Sequence, residues 1–147
     1  MIVEEAFVDT NVLVYAFDRT DSNKKQTAQK LITHLSDKDL LRLSTQVLQE
    51  LFVTLTRKVK QRCSNQEALA ILDYLAVWPV LPIDYSAIRA AVRVSEDARI
   101  SFWDALVVVA AARSGASILY TEDLNDGQEM LGVKVRNPFA DHAKEPL

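Results

Sequence analysis

The stretch SFWDALVVVAAARSG, residues 101–115, constrains this chain most. Ser101 stands where a helix N-cap belongs and Gly115 where a helix stops. Between them apolar residues run nearly all the way round the helical wheel, so this helix must be buried on most sides. Its cover has to come from the rest of the chain, where strand and helix signals alternate. An apolar run ending at 6–9 reads as a first strand, and 21–36 as an amphipathic helix with its N-cap at Asp21 or Ser22. LLRLST (40–45) is a short strand and 45–62 a helix. The segment 64–77 opens on Ser64 and Glu67 in capping-box spacing. WPVLPI (78–83) is extended, with Pro79 and Pro82 arguing for an edge strand or loop. A further helix covers 84–99, and 116–121 and 133–137 are strands. The alternation predicts an α/β/α sandwich on a central, mainly parallel sheet of about five strands. With no linker in view, residues 1–147 are expected to form a single domain.

At 147 residues the chain is long enough to bury about two-thirds of the surface its unfolded form exposes. No apolar run approaches the ~20 residues of a membrane span, and the acidic start does not resemble a signal peptide. The lone Cys63 excludes an internal disulfide and a zinc cluster and suits a reducing cytoplasm, the expected location. The only histidines are His34 and His142, so a bound metal would have to be held by oxygen, which points to Mg²⁺ or Mn²⁺. The net charge of −3 argues only weakly against a nucleic-acid partner, because Arg57, Lys58, Lys60 and Arg62 concentrate positive charge locally.

Acids mark several element ends. Asp9 follows the first strand in AFVDTNVLVYAF, followed by Thr10 and Asn11. An Asx-turn or N-cap accounts for all three locally. Yet in open α/β sheets ligands gather at the carboxyl ends of strands, where Asp9, Glu122 and Asp123 all fall. Asp104 matches the capping-box spacing from Ser101, but its apolar neighbours describe a buried helix end, with Arg99 the only charge partner nearby in sequence. Glu50 lies opposite the arc of Leu48, Leu51, Phe52, Leu55 and Val59, aligned with Gln46, Thr54, Arg57 and Gln61. That stripe is either a solvated face or, with Val47 and Val53 flanking it, a cleft wall. Asn125-Asp126-Gly127 is turn chemistry. Glu122 and Asp123 are adjacent and point different ways, and strand parity does not decide which faces the rim. Acids meeting at one rim would repel unless protonated or bridged by a divalent cation.

In their order and spacing, FVDTNVLVYAFD, QVLQEL, SFWDALVVVAAARSG and LYTEDLNDGQ…GVKVRNPF resemble the PIN-domain ribonucleases, and among them the VapC-type toxins of type II toxin–antitoxin pairs. The resemblance runs over essentially the whole chain. It implies Mg²⁺- or Mn²⁺-dependent RNA cleavage, homodimerisation and inhibition by a small antitoxin. Carried over by position, the family's four acids become Asp9, Glu50, Asp104 and Asp123, with Thr10, Asn11 and Ser101 as supports. Asp9, Asp104 and Asp123 are then the metal ligands, and Glu50 places a second ion or orients the attacking water. Arg57 and Lys58 are candidates for guiding the RNA backbone, Arg57 the better because it shares Glu50's face.

Three other readings compete. An aspartyl-phosphate phosphatase needs a second Asp two positions after the first, and Asn11 cannot supply that proton. A PIN-like module that binds RNA or protein without turnover, and a PIN nuclease of RNA processing outside any toxin pair, share the same fold.

Overall fold

The computed structural model describes residues 4–20 and 22–140, so the alternative cap Asp21 and His142 lie outside the described residues. Among the described residues, six helices flank a six-stranded sheet. In chain order the elements are β1 (Ala6–Val8), α1 (Thr10–Phe17), α2 (Asn23–Asp37), β2 (Leu41–Ser44), α3 (Thr45–Arg57) and α4 (Asn65–Leu75), then β3 (Val80–Leu81), α5 (Tyr85–Ala98), α6 (Phe102–Arg113), β4 (Ile118–Tyr120), β5 (Glu129–Met130) and β6 (Val133–Arg136). The strands lie in the order β3-β2-β1-β4-β6-β5, and every pairing is parallel except β5 with β6. The α/β/α layering expected from the sequence is present, and β3 is an edge strand, as its prolines require.

Central β1 is buried on both faces, with Ala6, Phe7 and Val8 all at or below 1% exposure, the pattern of a parallel strand covered by helices on each side. Helix α6 is buried continuously from Ala105 to Ala111, which is the cover its apolar circumference demanded. It packs against α5 and contacts β2, β4 and β6, whereas α1 packs on α2 and α3. Ser22 caps α2, and Ser64 and Glu67 form a reciprocal capping box at α4.

Gly115 ends α6 in a left-handed conformation (φ +82°), with Gly115 N donating to Ala112 O and Ala116 N to Ala111 O. Those two bonds are a Schellman motif, which satisfies carbonyls the helix end would otherwise orphan. Gly115→Ala is expected to cost about 1–2 kcal/mol, the penalty of a Cβ in left-handed backbone. The shift of the urea midpoint at constant slope measures it.

The N-cap reading of Asp9 holds: it caps α1, whose eight residues bury Val12, Leu13 and Ala16. Two segments differ from the sequence reading. Helix α3 stops at Arg57 rather than 62: Lys58 is its C-cap and Cys63 N turns back to Leu55 O at 2.8 Å. Continuing the helix would stack Arg57, Lys58, Lys60 and Arg62 at repelling three- and four-residue spacings and carry Cys63 away from the core, where it is 8% exposed. A sixth strand, β5, pairs with β6 through Leu131 and Gly132, whose φ values of 53° and 77° are both positive, as in a type I′ hairpin. The usual Asn-Gly signature is absent there.

Candidate metal centre

Asp9, at the carboxyl end of β1, serves the backbone and the site together. Its Oδ1 accepts from Thr10 N at 2.7 Å, the capping role, while Oδ2 accepts from Thr121 Oγ1 at 2.8 Å and Asn11 Nδ2 at 3.5 Å. Parallel register explains the second partnership: Val8 is opposite Tyr120, so the next residues along, Asp9 and Thr121, emerge side by side. Thr121 is wholly buried, and its hydroxyl also accepts from Asn11 Nδ2 at 3.2 Å and Asp123 N at 3.1 Å. One hydroxyl thus orients Asp9 and fixes the backbone of Asp123.

Asp104 enters from the first turn of α6, where Ser101 Oγ accepts from Asp104 N at 3.0 Å. The helix runs antiparallel to β4, so its N-terminus reaches the same rim as the strand ends. Carboxylate oxygens of Asp9, Asp104 and Asp123 all lie within 4.8 Å of one another. Arg99, which sequence proximity offered as Asp104's partner, instead ends α5 in a left-handed conformation and makes no ion pair with it among the described residues. Asp123 is the charge that bears on Asp104.

Glu50 lies beside this trio but outside it, its Oε1 accepting from Thr10 Oγ1 at 2.8 Å. The acids line a cleft of about 210 Å³ with Thr10, Asn11, Gln46, Trp103 and Val107. Gln46 departs from the solvated stripe on which the wheel placed it. It is 5% exposed, and its Nε2 donates to Trp103 O at 3.4 Å. Val47 is fully buried while Val53 is 40% exposed, so only Val47's side of the stripe is walled. Arg57 and Lys58 are exposed at the end of α3, Arg57 two helical turns beyond Glu50 on the same face.

The adjacent acids separate as expected of neighbours at a strand end. Glu122 turns away, accepting from Tyr15 OH at 2.9 Å and pairing with Lys24 Nζ at 2.8 Å. That ammonium also lies 4.9 Å from the Tyr15 ring centroid and 5.3 Å from that of Phe139. Asp126 accepts from Asn137 N at 2.8 Å beside Gly127 (φ +88°), the turn role read from the sequence.

Burial dominates the electrostatics of Asp9 and pushes its pKa from 3.8 to about 7. The bonds from Thr121 and Thr10 oppose the rise, and the charges of Asp123 and Glu50 add to it. Burial also raises Asp104, against a hydrogen bond with the Ser101 side chain and with the charge of Asp123. Asn11 Oδ1 and Gln46 Oε1 are buried acceptors that no described donor meets. Self-repelling carboxylates beside unmet carbonyl oxygens form a donor set that fits a hard divalent cation. Thr121 and Gln46 were not singled out from the sequence. Thr121 had a signal in its strand-end position next to the first strand, whereas Gln46 had none that a wheel reveals.

No curated protein matches the chain significantly. Solved structures of the same fold include a toxin–antitoxin complex from Klebsiella pneumoniae, with TM-score 0.68, 16% identity, and coverage of 91% of this chain and 98% of that one. Another is VapC20 from Mycobacterium tuberculosis, a sarcin-ricin loop cleaving toxin, with TM-score 0.63, 24% identity, and coverage of 80% and 91%. VapBC2 from Rickettsia felis, bound to a DNA fragment from its promoter, has TM-score 0.64, 18% identity, and coverage of 90% and 97%. The PIN domain family model matches residues 6–125, from the start of β1 through the loop that carries Asp123, and the chain belongs to that family.

Proposed function

We propose that this chain is a divalent-metal-dependent ribonuclease, the toxin of a toxin–antitoxin pair, working as one domain over residues 1–147. The observation that carries the reading is the meeting of Asp9, Asp104 and Asp123 within 4.8 Å. Three acids from separate parts of the chain converge there, and among the described residues no basic side chain lines the cleft. The fold shared with toxins solved in antitoxin complexes favours the toxin role and an antitoxin partner; the homodimer rests on the family resemblance alone. No described helix is long and apolar enough to cross a membrane.

Asp9, Asp104 and Asp123 would hold Mg²⁺ or Mn²⁺. A cation so bound neutralises charge on the scissile phosphate and lowers the pKa of water, supplying in-line hydrolysis with its nucleophile. Glu50, braced by Thr10 Oγ1, orients the attacking water. Thr121 and Asn11 keep Asp9 aimed into the cleft, and Ser101 fixes the helix end that presents Asp104. Arg57 and Lys58 guide the RNA backbone along the exposed end of α3.

Purified protein is expected to cleave RNA with Mg²⁺ or Mn²⁺, to stop in EDTA, and to recover when the metal is restored. Cleavage that persists in EDTA refutes the metal reading. RNA binding with no turnover under any metal would establish the non-catalytic module instead. Expression is expected to arrest growth, and co-expressed antitoxin to relieve the arrest.

A further inference from the structure

We propose that Gln46 is a positioning residue of the acid cleft: its Oε1 accepts a hydrogen bond from a water on the divalent cation and, with Glu50, orients that water. This rests on the nuclease reading and adds to it a neutral residue outside the four acids. Gln46 lines the cleft and is only 5% exposed, yet its Oε1 meets no donor among the described residues. A buried acceptor without a donor is costly, so an amide kept in that state calls for a partner from outside the chain.

The amide cannot turn over to relieve it. Its Nε2 donates to Trp103 O at 3.4 Å, and a carbonyl only accepts. Turned over, Oε1 would meet that carbonyl, two acceptors face to face. Trp103 O thereby fixes which end of the amide is free, and the free end is an oxygen. The side chains of the cleft do not meet it either. Thr10 Oγ1 donates to Glu50, and Asn11 Nδ2 donates to Asp9 and Thr121. Ionised carboxylates around them only accept.

What remains is water, and the acids decide which water. A cleft of about 210 Å³ exceeds a bare cation and has room for several waters at about 30 Å³ each. Mg²⁺ sheds its waters reluctantly and keeps several of them in a protein site. A water on a cation is polarised and donates more strongly than one in bulk. Gln46 stands one helical turn before Glu50 on α3, so amide and carboxylate are neighbouring acceptors in the same cleft. A water has two protons to give. Donating one to each, and turning one lone pair to the cation, leaves its other lone pair free for the phosphate.

The test compares wild type, Q46M and Q46E. Methionine keeps the length of the side chain and removes both polar atoms, whereas glutamate keeps an acceptor oxygen. Mn²⁺ affinity is titrated by electron paramagnetic resonance, metal-free melting is followed at the same pH, and cleavage of a labelled RNA is read at saturating Mn²⁺. Q46M should bind Mn²⁺ roughly tenfold more weakly, the low end for side chains that orient a metal site from outside the ligand set. Its kcat should fall by about the same factor, with KM for RNA unchanged. Metal-free Q46M should melt no lower than wild type, because an unmet acceptor is gone and Trp103 O keeps its bond within α6. Q46E should bind Mn²⁺ at least as tightly as wild type and melt lower without metal, since it adds a charge to the acids. Wild-type Mn²⁺ affinity in Q46M, or an affinity in Q46E as weak as in Q46M, overturns the inference and leaves the nuclease reading standing. Metal-free Q46M that melts well below wild type also overturns it, by giving the amide a structural task. A wild type that binds no Mn²⁺ defeats both readings.

Discussion

Asp9→Asn is expected to lower RNA cleavage by about a thousandfold or more, since a catalytic cation contributes several kcal/mol of transition-state stabilisation and each 1.36 kcal/mol is tenfold. Without metal, the same substitution should make the protein more stable at neutral and alkaline pH. Both effects come from the burial that pushes the Asp9 pKa from 3.8 to about 7. The folded protein holds this proton more tightly than the unfolded chain. The associated stability is fully present below the unfolded value and is lost as pH rises through about 7. At about 1.4 kcal/mol per pH unit between the two values, the ionised side chain costs the metal-free fold at most on the order of 4 kcal/mol. Asparagine has nearly the same shape and carries no charge to desolvate. At pH 8 without metal, Asp9→Asn should therefore melt higher than wild type, by about 2–4 °C per kcal/mol in a chain of this size. Near pH 4 the two melting temperatures should converge. Added Mn²⁺ should raise the wild-type melting temperature and leave the variant nearly unmoved, because binding to the native state alone stabilises by mass action. Equal melting temperatures at pH 8, or an equal response to Mn²⁺, would contradict the placement of Asp9 as a buried ligand.

Legibility divides along the range of the interactions involved. Helices α4 and α6 were readable because their signals are local: a serine and an acid three residues apart, a glycine stop, and an apolar wheel. The sheet followed from alternation, since strands as short as β1 and β4 are bounded by helices with clear caps. The end of α3 was not readable, because RKVKQR continues a helical pattern and only burial of Cys63 and repulsion along the turn stop it. β5 was hidden because Leu131 occupies a positive-φ turn position where asparagine or glycine is the usual sign.

At the site, the same division separates Asp9 from Thr121. Strand ends and family spacing drew attention to the four acids, and the geometry brings Asp9, Asp104 and Asp123 together with Glu50 alongside. The local capping explanations for Asp9 and Asp104 also hold in part. Asp9 receives Thr10 N and Ser101 receives Asp104 N, so capping aims each acid rather than competing with a site role. What no helical wheel or local motif contains is a bond such as Thr121 to Asp9, made across adjacent strands by residues 112 apart. Gln46 has the same origin: it is buried because α6 covers it, and the identity of the neighbouring helix is a tertiary fact.

Thr121→Val tests that hidden layer and is expected to have the second-largest effect. Valine fills nearly the same space but deprives Asp9 Oδ2 of its closest donor, and Asn11 Nδ2 and Asp123 N of an acceptor. Each buried polar group left unmet costs about 1–3 kcal/mol, partly recovered where water reaches Asp123, so the total loss should be about 2–4 kcal/mol at pH 8. Thr121→Ser keeps the hydroxyl and should lose only about 1 kcal/mol for the missing methyl group. A purely volumetric role for residue 121 would reverse that order. The pH profile separates the two roles further. The Thr121 bond holds the Asp9 pKa down, so without it the midpoint moves above about 7. Metal binding needs the carboxylate, and the Mn²⁺-affinity profile of Thr121→Val should accordingly shift to higher pH while that of Thr121→Ser stays near wild type. Loss of the hydroxyl also frees the Asp123 backbone, which should lower affinity at the plateau by roughly ten- to a hundredfold, as for other residues that orient metal ligands. A Thr121→Val protein with wild-type Mn²⁺ affinity and an unshifted profile would mean that Asp9 and Asp123 are held by the strand ends alone.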